Sequence, residues 1–73
     1  MNSVKVYKTN VDDQKRAKEI LNAIREIFPA SLPTFDLDDC DKVLRIEDES
    51  GSIDESVIAK ILDQFKYDIE VLP

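Results

Sequence analysis

Seventy-three residues make one domain, and a chain of this length buries only roughly 60% of its unfolded surface, which leaves little interior for a deep catalytic pocket. With 42% hydrophobic and 36% charged residues, one Gly and three Pro, the composition is that of a globular domain without repeats, linkers or low-complexity runs. Sixteen acids against ten bases give a net charge of -6, the wrong sign for a phosphate backbone, so neither nucleic acid nor an anionic membrane is an expected partner.

In chain order, Val4 and Val6 alternate with Lys5 and Tyr7, the period of a half-buried strand ending near Thr9, with the valines expected inward. Between residues 13 and 28, Ala17, Ile20, Leu21, Ile24, Ile27 and Phe28 recur at three- and four-residue intervals and predict an amphipathic helix that Pro29 stops. After Pro33, Phe35 and Leu37 alternate with Thr34 and Asp36. Asp38, Asp39, Cys40 and Asp41 then supply a turn, and Leu44 and Ile46 continue the alternation as the second arm of a hairpin. Ser52 and Glu55 have capping-box spacing just after Gly51 and predict a second helix, with Ile53, Val57, Ile58, Ile61, Leu62 and Phe65 on its apolar stripe. Ile69 and Val71 alternate with Asp68 and Glu70 in a last strand.

The predicted order is βαββαβ. Four strands and two helices, each with one apolar side, are all buried at once if both helices lie on the same face of one antiparallel sheet. The expected class is therefore α+β, a ferredoxin-like sandwich. Its open sheet face would carry Lys5, Tyr7, Thr34, Asp36, Val43, Arg45, Glu47, Asp68 and Glu70, a mostly polar set with a single aromatic side chain. An RNA-recognition motif, which stacks bases on several aromatics in that place, is not indicated.

The layout over residues 3 to 72, with the hairpin stretch from Phe35 to Ile46, resembles the heavy-metal-associated domain of copper chaperones and metal-transporting ATPases. That family's metal loop reads Gly-Met-x-Cys-x-x-Cys; here the loop carries Val11 at the Met, Asp13 at the first Cys and Arg16 at the second, while Lys66 and Tyr67 fall at the family's Gly-Tyr. Soft cations such as copper(I) are held by thiolates, whereas Asp13 is a hard oxygen ligand and Arg16 is no ligand and repels cations. The resemblance thus implies the fold without the metal site and without a cofactor. A carboxylate at Asp12 or Asp13 is expected to cap the helix instead. In the family this end meets partner domains, so the resemblance implies a protein-docking face at Asp12, Asp13, Arg16, Lys66 and Tyr67.

Other chemistries find little support. Cys40 cannot close an intramolecular disulfide, and like-charge repulsion from Asp38, Asp39 and Asp41 disfavours its thiolate. These four residues are nonetheless the remaining metal candidates, through Cys40 in a dimer or through the acidic hairpin; Asp41 stands where a calcium loop requires Gly. The absence of His removes the usual partner of a nucleophile, and no catalytic constellation is visible, so an enzyme is not expected. The lone cysteine and the absence of an apolar leader or membrane-length run lead to the expectation of a cytoplasmic, non-catalytic interaction domain, with an ACT-like ligand-sensing dimer as a further alternative. Residues 1 to 30 hold six bases and four acids and residues 31 to 73 four bases and twelve acids, a distribution expected of an ordinary solvated surface, with steering of a basic partner or head-to-tail self-association as the functional alternatives.

Overall fold

Each helix begins where an aspartate takes up an orphaned amide. In the computed structural model, which describes residues 3–38, 40, 42–49 and 53–72, the elements run β1 (Ser3–Thr9), α1 (Gln14–Ile27), β2 (Ser31–Asp36), β3 (Val43–Asp48), α2 (Glu55–Gln64) and β4 (Ile69–Val71). Asp13 is extended and accepts from the Lys15 amide at 2.9 Å to start α1. The helix ends at Phe28, which the following Pro29 holds out of helical geometry, with φ -122 and ψ 76. Asp54 does the same for α2, accepting from Ser56 at 2.9 Å, so the helix starts later than a cap at residue 52 predicts; Gly51 and Ser52 lie outside the described residues. Ile53 and Ile58, both buried, stand in the N′ and N4 positions of a hydrophobic staple that fixes the entry of α2.

The sheet is four-stranded and antiparallel throughout, in the order β2-β3-β1-β4. With two helices it forms an α+β fold compatible with a ferredoxin-like arrangement. A single core unites Ile20 and Ile24 of α1, Ile58, Ile61 and Leu62 of α2, and Leu44 and Ile46 of β3. Ile27, expected on the buried stripe, is largely exposed at the last residue of α1. Strand β2 includes Pro33 and begins before it, which an edge strand tolerates because a proline nitrogen can face away from the ladder. No helix among the described residues is long and apolar enough to cross a membrane.

The facing of β1 is opposite to the expectation. The register pairs Tyr7 with Leu44 and Lys5 with Ile46, so Lys5, Tyr7 and Thr9 share the core side of the sheet, and Val4 and Val6 turn to its open face. Tyr7 is 1% exposed whereas Val4 is 46% exposed. The physical reason is the size and continuity of the odd-numbered set. A tyrosine ring carries more apolar area than a valine, and the same parity continues to Val11, which is 0% exposed. Lys5 tolerates this side by reaching outward to Glu55 at 3.4 Å. The open face is consequently less polar than expected, since Val4, Val6, Leu32 and Val43 share it with Thr34, Asp36, Arg45 and Glu47.

The inward turn of β1 leaves one buried polar atom without a partner among the described residues, the Tyr7 hydroxyl. Burial, with the nearby Glu55 carboxylate second, pushes its pKa from 10.0 up to about 12. The unfolded chain therefore releases this proton first, so the neutral hydroxyl favours the fold fully below pH 10, and that contribution is lost as pH rises toward 12. Tyr7→Phe removes a hydroxyl that bonds to no described residue. We expect urea unfolding at neutral pH to give an unchanged free energy or a gain of up to about 1 kcal/mol. The wild type should fall behind the variant in unfolding midpoint as pH climbs from 10 to 12; an equal alkaline decline in both proteins would contradict the burial of this side chain.

Candidate functional site

Three loops meet at one end of the sheet. Because β3 starts opposite Lys8 and β4 starts opposite Thr9, the β1–α1 loop, the β2–β3 turn and the α2–β4 loop all lie beside the end of β1. Two consecutive side chains join them. The Thr9 hydroxyl donates to the Lys42 carbonyl at 2.6 Å and accepts from the Val11 amide at 3.2 Å, tying the first loop to the hairpin. Asn10 accepts from the Asp68 amide at 2.8 Å and donates to the Asp68 carboxylate at 3.5 Å, tying the same loop to the α2–β4 connection. The Lys42 ammonium closes the turn by donating to the Leu37 carbonyl at 3.1 Å.

This end holds every expected docking residue. Asp12, Asp13 and Arg16 are exposed on the β1–α1 side of the Asn10–Asp68 link, and exposed Lys66 and half-buried Tyr67 stand on its other side. Val11 fills the core beneath them. Asp13 is engaged as the cap of α1, and the Arg16 guanidinium donates to Glu19 at 3.0 Å one helical turn away. Asp68, expected in the last strand, is instead a loop residue whose amide and carboxylate both serve Asn10.

Lys66 occupies a left-handed position, with φ 68. Its amide bonds to the Asp63 carbonyl at 3.0 Å and the Tyr67 amide bonds to the Leu62 carbonyl at 3.0 Å, the two bonds of a Schellman motif that ends α2. A residue with a Cβ costs roughly 1 to 2 kcal/mol in this conformation. Lys42, with φ 48 just before β3, is another such residue.

The donor set does not fit a soft metal. The two positions where the resemblance implies thiolates hold a carboxylate engaged with an amide and a guanidinium paired with Glu19. Cys40 is an exposed free thiol and Asp38 is exposed on the same turn; Asp39 and Asp41 lie outside the described residues. Among the described residues no group of three or more His, Cys, Asp and Glu side chains is arranged to hold a metal ion.

An open groove of about 650 Å³ lies beside this end, between α1 and β2. A smaller cleft of about 270 Å³ lies between α2 and β4, with Tyr7 at its lining. Comparisons with protein-family models, with curated proteins and with solved structures found no match.

Thr9, Asn10, Lys42 and Asp68 carry the architecture of this end, yet none stands out in the sequence as a site. Their signal is generic: short polar side chains at a strand end bond neighbouring backbone. Asn10→Ala should cost about 1 kcal/mol in urea unfolding and speed hydrogen exchange at the Asp68 amide. Lys66→Gly should raise stability by about 1 kcal/mol by relieving the left-handed backbone. A destabilised Lys66→Gly protein would contradict the Schellman geometry.

Proposed function

We propose that this chain is a small non-catalytic interaction domain, a ferredoxin-like scaffold of heavy-metal-associated type that lacks the soft-metal site and docks a protein partner through its three-loop end. The observation that carries the proposal is the engagement of the two ligand positions in helix chemistry: Asp13 caps α1 and Arg16 pairs with Glu19. The order β2-β3-β1-β4 with a βαββαβ chain supports the scaffold, and the proximity of three loops supports the docking end. Fold alone does not carry function; exposed charge and the bonds that close the loops support the docking face.

The reduced protein, titrated anaerobically with copper(I) against a competing chelator and in parallel with zinc and calcium, should take up none of the three tightly. Tight copper binding at one ion per chain or per dimer that Cys40→Ser abolishes would overturn the proposal and make the chain a divergent metal carrier. Once a partner is isolated, Arg16→Glu or Lys66→Glu should weaken it by roughly tenfold, with helix content unchanged by circular dichroism. Affinities equal to wild type would exclude this face.

A further inference from the structure

The groove between α1 and β2 combines three features that its size does not explain. Its floor is apolar, formed by Ala17, Leu21, Phe35 and Leu37. Lys15 and Lys18 line the helix wall and Asp38 the wall opposite, while Asp36 borders the groove from the open side of the sheet. Among the described residues none of these four charged side chains forms an ion pair. The groove therefore presents two lysines beside an apolar strip, with Asp38 across from them and Asp36 over the edge on the other face of the sheet.

The third feature is the backbone beside it. Strand β2 is an outer strand of the sheet. Pro33 has no N–H to give to β3, which suits a position facing away from the ladder. Ser31, of the same parity, sends its amide back to the Phe28 carbonyl at 3.0 Å instead of to β3. Phe35 shares that parity, so its N–H and C=O face the outer edge at the point where the groove opens. Pro33 blunts the edge on one side of this point and leaves the Phe35 side open to pairing.

We propose that this groove binds an extended peptide that adds a short strand beside β2, hydrogen-bonded to Phe35. The residue opposite Phe35 and those alternating with it point to the helix side, where apolar groups meet Leu21 and Leu37 and an acidic one meets Lys15 and Lys18. The intervening residues point to the open side of the sheet, where a basic one meets Asp36. The partner is an extended segment with apolar and acidic residues in one alternate set and basic residues in the other. Because Pro33 limits pairing to a few residues, the interaction is weak and reversible. It does not rest on the three-loop end or on the missing metal site, and the variants that test each are different residues.

The test uses the ¹⁵N-labelled protein and the blocked synthetic peptide Thr-Leu-Lys-Glu-Lys-Val, titrated beside the same peptide N-methylated at its glutamate. Saturable shifts at the amides of Phe35 and Leu37 and along the first turns of α1, with slowed exchange of the Phe35 amide, are expected. The N-methylated peptide and the Lys18→Glu protein should each bind roughly tenfold more weakly. Absence of shifts in millimolar excess, shifts centred elsewhere, or equal binding of the N-methylated peptide would overturn the proposal. Concentration-dependent shifts of the same amides without peptide would also overturn it, by assigning the edge to a second copy of the chain.

Discussion

Strand β1 is hydrogen-bonded on both sides, to β3 and to β4, so its register fixes the positions of two neighbours at once. The pairing of Tyr7 with Leu44 selects which half of its side chains joins the core. A slip of one residue would exchange Lys5, Tyr7 and Thr9 for Val4, Val6 and Lys8 on the inner side and take the Tyr7 ring out of the core. It would also take Thr9 out of reach of the Lys42 carbonyl and remove the link between first loop and hairpin. The arrangement of the three-loop end thus follows from the parity of one strand.

That end is built by helix capping and by links between loops. The start of α1 needs an acceptor for its free amides, and an aspartate meets that need as well as a thiolate would. Once Asp13 caps the helix and Arg16 pairs with Glu19, the remaining surface of the loop is a mixture of exposed charges held in place by Thr9 and Asn10. Under the proposed function, complementary charge on a partner protein would set its orientation on this surface. The neighbouring groove has the same character, with opposed charges on its walls and an apolar floor.

Both helices and the hairpin are legible in the sequence because their apolar positions repeat with one period and end at clear stops, Pro29 for the first helix and the aspartate-rich turn for the hairpin. The facing of β1 is not legible from Val4 and Val6 alone, since both parities of that segment contain apolar residues. Only by continuing the count to Val11, and by weighing one tyrosine against two valines, does the inner set become visible. The spacing of Ser52 competes with the cap at Asp54 in the sequence, and the staple of Ile53 and Ile58 distinguishes them. The adjacency of the β1–α1 and α2–β4 loops is legible from the order of elements, whereas the bonds that join those loops depend on a rotamer and a register that no local pattern encodes.

The facing of β1 is the point on which the fold and the site both stand, and cross-strand nuclear Overhauser effects measure it directly. Side chains directly opposite in an antiparallel pair have Cβ atoms about 4.5 to 5.5 Å apart, well within range. The Tyr7 ring should show strong effects to the methyl groups of Leu44 and Val71, with the Val4 and Val6 methyls silent toward Ile20 and Ile24. Effects from the Val4 and Val6 methyls into that core, with the Tyr7 ring seen only beside Arg45 or Glu47, would place the strand the other way and contradict the account of the three-loop end.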